Sequence, residues 1–188
     1  MVVGTYRLMR DGDAARAGGF YTAGEYEIGP MLAGIPRGWK LLELGRSCVL
    51  KSYRAKAGSM QLLWRGVTTY VRRFSIDLMF GCASLQGTDP QALALPLSYL
   101  HHFHKMPDGI RARARRELYV DMNRMPKDAI DPKEAVRALP PMIKGYVRAG
   151  GGIGDGAVID RQFGTTDVFI YFPVTEIDPR YRSKFGFS

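Results

Sequence analysis

The segment from Leu41 to Leu85 limits the possible folds more than any other part of the chain. Leu41 to Leu50 (LLELGRSCVL) has the apolar content of a strand. Ser59 to Arg73 reads as a helix, because Met60, Leu63, Trp64, Val67 and Val71 recur at intervals of three and four. Leu78 to Leu85 (LMFGCASL) is a nearly continuous apolar run of strand length, as expected of a strand covered on both faces. Strand, helix and strand in that order make a βαβ unit, so the two strands should lie parallel. An α/β fold with a mixed sheet follows.

The flanking sequence adds to that unit. Val2 to Met9 reads as a strand stopped by Asp11-Gly12, and Gly18 to Met31 as loop with one short strand. Thr88-Asp89-Pro90 is expected to open a helix running to His104, with Pro96 imposing a kink or a late start. Asp131-Pro132 opens another, with Val136, Leu139, Ile143 and Val147 on one face, ending at the Gly150 to Gly152 run. Strands around Ala157 to Ile159 and from Asp167 to Val174 close the chain. At 188 residues this is one domain. Cys48 and Cys82 read as reduced, buried small hydrophobes, and Trp64 and Phe80 as core.

Charge bears on partners. Lys and Arg number 27 against 18 acids, a net +9, which suits an acidic protein or an anionic membrane surface. Nucleic acid is not expected: one dense cluster, Arg111 to Arg116 (RARARR), lacks any zinc-finger, RNP or basic-zipper pattern. The plain alternative is a solvated basic surface. The uncharged run Pro90 to His104 is too short and polar to span a bilayer, which needs ~20 apolar residues. With no secretory pattern in Met1 to Asp13, cytoplasmic placement is expected, with peripheral contact at the inner membrane face as an option.

The turn after the first strand of the βαβ unit is a candidate phosphate site. Amide N–H groups and the positive end of a helix converge there. Arg54 and Lys56 add charge to the turn Lys51 to Ser59, and Gly58 lets backbone approach a ligand. Val49 to Arg54 followed by Gly58 resembles the pyrophosphate loop of the GCN5-related N-acetyltransferase (GNAT) superfamily, its glycine pair reduced to Gly58. GTYRLM and ELGRSCV look like the acyl-homoserine-lactone synthases. The ordered segments GTYRLMR, GGFYTAGEYEI, ELGRSCV, LMFGCASLQGTDP, YVDMNRMP and GDGAVIDRQFGTTDV are similar to the L-ornithine Nα-acyltransferases.

The resemblance implies a GNAT-like mixed central sheet flanked by helices. It also implies transfer of a 3-hydroxy fatty acyl group from acyl carrier protein to the α-amine of ornithine, giving lyso-ornithine lipid. No cofactor is held permanently. The donor's phosphopantetheine would run along strand 41–50, its phosphate at the turn, with Val49, Lys51, Arg54, Lys56, Gly58 and Ser59 as its binding residues. Members usually carry further helix and strand elements before the GTYRL-like strand, so the single acyltransferase domain over residues 1–188 is expected to be N-terminally shortened.

An amine attacking a thioester needs a proton acceptor and donors to the developing oxyanion. Glu43 is the candidate base, acting directly or through a water; its alternative is an ion pair with Arg46. On an ideal strand those two point to opposite faces, so their pairing requires a bulge or a third partner. Arg46 is expected to order the site or bind a carboxylate, and Ser47 to donate a hydrogen bond. Asp155, Asp160 and Asp167 lie in or near late glycine-rich turns, where a cationic ornithine side chain could find a carboxylate; Asp160 is the choice among them, or it simply shapes a turn. No acid at ligand spacing joins His101, His102 and His104, so no metal is expected and a helix C-terminus favouring His⁺ is the simpler reading. Two alternatives remain: an acyl-CoA-dependent transferase on another amino acid, and a non-catalytic module binding acidic partners, anionic lipid or nucleic acid.

Overall fold

The computed structural model describes residues 1–54, 58–177 and 179–180. In chain order the elements are β1 (Gly4–Arg10), α1 (Asp11–Arg16), a 3₁₀ turn (Tyr21–Gly24), β2 (Tyr26–Glu27) and α2 (Gly29–Gly34). Next come β3 (Leu41–Val49), α3 (Lys51–Arg54), α4 (Ser59–Phe74), β4 (Leu78–Gln86), α5 (Ala94–Phe103) and β5 (Arg113–Ala114). The chain closes through α6 (Pro132–Ala138), α7 (Pro141–Arg148), β6 (Gly152–Asp160) and β7 (Thr165–Pro173). The strands form one seven-stranded sheet in the order β1-β3-β4-β7-β6-β5-β2. The expected βαβ unit is present: β3 and β4 pair in parallel across α4.

Each face of the sheet buries its own cluster. On the helix face, Trp64, Val67 and Val71 of α4 and Ile143 and Tyr146 of α7 pack on Met79, Ala83, Ile170 and Phe172. On the loop face, Tyr26 and Met31 pack on Leu41, Leu78, Phe80, Phe169 and Tyr171. Trp64 and Phe80 are thus core, at 8% and 1% exposure. β4 sits between β3 and β7, with alternate side chains in the two clusters, which is why its sequence is apolar at nearly every position.

Several local expectations are corrected. Asp89 Oδ1 accepts the Gln91 N–H at 2.8 Å and shapes a turn, and the helix starts late, at Ala94, with Pro96 in its first turn where a missing N–H costs no bond. The helix expected from Asp131 to Gly150 is two helices, because Pro140 and Pro141 cannot donate and disfavour helix before them. β6 starts at Gly152, earlier than expected: side chains at Gly152 and Gly154 would meet Met106 Cα at 3.0 Å and Ala112 O at 2.8 Å. Within RARARR, Arg113-Ala114 is strand β5, with Ala112 and Ala114 buried and the arginines outside, a period-two alternation. Cys48 is exposed rather than buried.

The feature that positions the site is a fork. The parallel ladder runs from Leu41↔Leu78 to Glu43↔Phe80. Beyond it β3 stays with β1 as far as Val49, and β4 stays with β7 as far as Gln86. Two residues mark the base of the fork. Arg46 has φ +50, and at that point two steps of β1 (Thr5 to Arg7) face three of β3 (Cys48 to Gly45), a β-bulge. Gly81 has φ +154, and a Cβ there would lie 2.2 Å from the Leu44 carbonyl oxygen.

Gly81→Ala should therefore destabilise the fold by about 2 kcal/mol or more, from backbone strain plus overpacking. Gly12→Ala, on exposed α1 with nothing within 4 Å of its Cβ, should be neutral or gain up to ~1 kcal/mol. Urea unfolding of the two variants checks both.

Candidate active site

A cavity of about 900 Å³ occupies the fork, walled by Leu44 to Val49 of β3 and Met79 to Ser84 of β4. It reaches both faces of the sheet. Tyr21, Glu25, Phe163 and Asp167 line it on the loop side, and Tyr6, Met142, Tyr146 and Phe172 on the helix side.

Glu43 is the last residue of β3 in the parallel ladder and is fully buried. Its carboxylate accepts from Arg7 Nη2 at 3.1 Å, the Tyr21 N–H at 3.2 Å and the Thr22 N–H at 2.6 Å. It stands behind the cavity wall that Arg7, Tyr21 and Thr22 supply. The considered Glu43–Arg46 pair does not form: the bulge is present, but it turns Arg46 to donate to Tyr21 Oη at 2.9 Å. The Arg46 guanidinium also lies 5.0 Å from the Tyr21 ring centre and 5.5 Å from that of Phe163. Ser47 is exposed in the bulge and lines the cavity with Tyr6. Tyr6 Oη lies 3.2 Å from Tyr146 Oη. Burial pushes both phenols up, Tyr146 well above its ordinary value.

Two further acids complete the cavity: Glu25, which the sequence reading did not single out, and Asp167, which it weighed beside Asp160. Glu25 accepts from the Cys82 Sγ at 3.2 Å; burial raises its carboxyl, and the charges of Asp167 and Asp160 raise it further, against the Cys82 hydrogen bond and Arg46. Asp167 is 8% exposed and its Oδ1 has no hydrogen-bond partner. Burial raises it too, opposed by the Ser84 and Thr165 side chains. Tyr26 ties the two acids' segments together: it follows Glu25 in sequence, and its hydroxyl donates to the Asp167 carbonyl at 3.0 Å. Arg115 holds the same segment, through its N–H to Glu25 O at 2.9 Å and its Nε to Ala23 O at 2.8 Å. One signal was available in the sequence, a lone aspartate heading the apolar strand DVFIYF.

The remaining expected residues fall as follows. Asp160 lines the cavity, and its Oδ1 accepts the N–H groups of Gln162 (2.8 Å) and Phe163 (3.0 Å), so it shapes the β6–β7 turn. Lys51 to Arg54 form a helical turn, with Arg54 Nε donating to Val49 O at 2.9 Å and Arg54 lining the cavity. Lys51 is exposed and the Val49 side chain is buried. Gly58 has φ +95, with open space at its Cβ, immediately before α4, where Ser59 is the first residue. Lys56 lies outside the described residues. The histidines do not suit a cationic helix end, since burial lowers His101 and His104. Among the described residues no group of three or more His, Cys, Asp or Glu is placed to hold a metal ion, and no helix is long and apolar enough to cross a membrane.

A mixed sheet forked at a bulge, with a cavity in the fork, is the architecture of a GNAT-type acyltransferase, and residues 1–65 match the acetyltransferase (GNAT) domain family. The chain is 50% identical to the L-ornithine N(alpha)-acyltransferase of Rhizobium meliloti, over 98% of its own length and 62% of the relative's. Against the same-named proteins of Brucella abortus and Rhodobacter capsulatus the identities are 52% and 43%, covering 65% and 68% of those chains and 98% and 96% of this one. It belongs to the L-ornithine N(alpha)-acyltransferase family. The chain spans slightly under two thirds of the first two relatives' lengths, and no solved structure matches it.

Two outcomes follow from the buried acids. Glu43→Ala strands Arg7 and two loop amides, so it should cost about 3 kcal/mol in urea unfolding and speed proteolysis near Tyr21. Asp167 holds its proton more tightly folded than its ordinary 3.8. The stability linked to that group is therefore full below pH 3.8 and lost as pH rises through the raised value. Asp167→Asn should raise the urea midpoint at pH 7, with the gain vanishing as the pH is lowered below the ordinary value.

Proposed function

We propose that the protein is an N-acyltransferase that moves a 3-hydroxy fatty acyl group from the phosphopantetheine of acyl carrier protein to the α-amine of L-ornithine, giving lyso-ornithine lipid. The observation that carries this reading is the cavity in the β3–β4 fork, acidic on its loop side and apolar with neutral phenols on its helix side. A thioester and a cationic amine can enter it from opposite faces of the sheet and meet at the bulge.

Past Glu43 the β4-facing edge of β3 has left its ladder, so its main-chain groups are available to the amide-bearing pantetheine arm, as they would be to an added strand. At the end of β3, Val49 leads toward the start of the 16-residue α4, where Lys51, Arg54, Gly58 and Ser59 are the residues to take the phosphate. The acyl chain lies against Met142, Tyr146 and Phe172. Arg46 takes the α-carboxylate of the acceptor, Ser47 donates to the carbonyl oxygen, and Asp160 adds negative potential at the mouth. Glu43 serves by holding Arg7 and the Tyr21–Thr22 loop in place. The product is an amphiphile, and a basic surface suits peripheral contact with an anionic membrane face.

The test offers the full chain 3-hydroxyacyl carrier protein or 3-hydroxyacyl-CoA with a panel of amino acids and follows products by mass spectrometry. N-acylornithine formed from the carrier-bound donor is the expected result. Product from the CoA donor alone overturns the carrier assignment, and acylation of other amino acids in preference to ornithine overturns the acceptor. Carrier binding should weaken steeply between about 0.05 and 0.5 M salt and weaken again in Arg54→Glu; an affinity flat across that range removes the basic residues from docking.

A further inference from the structure

Asp167 lines the cavity, and one oxygen of its carboxylate, Oδ1, is buried without a hydrogen-bond partner. An orphaned anionic oxygen is costly to bury, and a ligand cation is the natural compensation. A second carboxylate stands nearby. Ser84 of β4 faces Asp167 across the β4–β7 ladder, and Cys82, two residues earlier on the same side of β4, donates to Glu25. The two acids are therefore offset along β4 by two residues, roughly 7 Å. Opposite them Arg46 is close enough to lower Glu25.

An amino acid with one ammonium on the α-carbon and another three methylenes away fits that spacing. Its two nitrogens are five bonds apart, roughly 6 Å when extended. We propose that Glu25 and Asp167 form a two-carboxylate subsite for a diammonium acceptor: Glu25 is the proton acceptor for the reacting α-amine, and the Asp167 carboxylate pairs with the side-chain ammonium. The assignment rests on the acyl-transfer reading above and gives Glu25 the proton-accepting role expected of Glu43.

The step balances. The α-ammonium passes one proton to the Glu25 carboxylate, and the amine nitrogen bonds to the thioester carbonyl carbon. The carbon–sulfur bond breaks, the departing thiolate takes the nitrogen's second proton, and Glu25 releases its own to solvent. Thioester and ammonium become amide, thiol and one free proton. A carboxyl that burial raises toward neutrality is a stronger base than an exposed one.

The experiment compares ornithine with norvaline, which lacks only the side-chain amine, in the wild-type chain, Asp167→Asn, Glu25→Gln and the exposed control Asp108→Asn. Acylation kinetics are one readout, and thermal stabilisation by each free amino acid is the other. Asp167→Asn should lower kcat/KM for ornithine on the order of 100-fold with little change for norvaline, and should abolish ornithine-specific stabilisation. Glu25→Gln should lower kcat for both acceptors and remove the acidic limb of the pH–rate profile. Asp108→Asn should match wild type. An ornithine-to-norvaline ratio unmoved by Asp167→Asn, or an acidic limb that survives Glu25→Gln, overturns the proposal. If no donor yields product yet ornithine alone stabilises wild type and not Asp167→Asn, the subsite stands and acyl transfer falls; if ornithine stabilises no better than norvaline, the subsite falls as well.

Discussion

The buried carboxylate of Glu43 is the interaction on which the rest depends. An ionised acid at 0% exposure is tolerable only if its oxygens are satisfied, and the donors come from two other segments, Arg7 on β1 and the amides of Tyr21 and Thr22. Glu43 thereby ties β1, β3 and the Tyr21 loop at the last rung of the β3–β4 ladder. Gly45 is required for this: a Cβ there would stand 2.6 Å from Arg7 Nη2, in the way of the guanidinium as it crosses to Glu43. Glutamate, glycine and arginine in ELGR thus have one purpose in sequence order: an anchor, a clearance, then a bulge.

The sheet forks past the bulge and Gly81 without unravelling, because β3 stays paired with β1 as far as Val49 and β4 with β7 as far as Gln86. The cavity therefore has rigid walls and two different chemistries. On the helix side burial keeps Tyr6 and Tyr146 protonated, so that wall is neutral and hydrogen-bonding. On the loop side Glu25 and Asp167 line the cavity with Arg46; burial raises both acids, Asp167 and Asp160 raise Glu25 further, and Asp160 raises Asp167. A sheet closed along β3 and β4 would separate these two environments by a layer of backbone.

What could be read from the sequence was local. The βαβ unit showed in its two periodicities, and the opposite-face argument made a Glu43–Arg46 pair depend on a bulge or a third partner; the bulge is present, yet Glu43 goes to Arg7 and Arg46 to Tyr21. The exposure of Cys48 follows from the same bulge, which resets the in–out alternation that its apolar neighbours suggested. Asp167 was legible as one of three late acids, but neither Glu25 nor its meeting with Asp167 was, since they come together only through long-range pairings, Tyr26↔Ala114 and Ser84↔Asp167. The break between α6 and α7 was written in Pro140-Pro141, but the spacing of Val136, Leu139, Ile143 and Val147 masked it: the two short helices still bury Leu139, Ile143 and Val147 in the same cluster.

The basic cluster shows why net charge is a poor guide to docking. Arg113 pairs with Asp155 at 3.5 Å and lies over the Tyr119 ring, while Arg115 is bound to the segment carrying Glu25. Part of the charge in RARARR therefore acts inward, fixing the acidic wall of the cavity. β5 is also three strands from β4 in the sheet order, about 14 Å. With a Debye length of about 8 Å at physiological ionic strength, exposed charge at β5 contributes little at the fork. The charge nearest the cavity is instead that of Arg46 and Arg54, which line it, and the arginines of β5 bear on the fork through the segment that Arg115 holds.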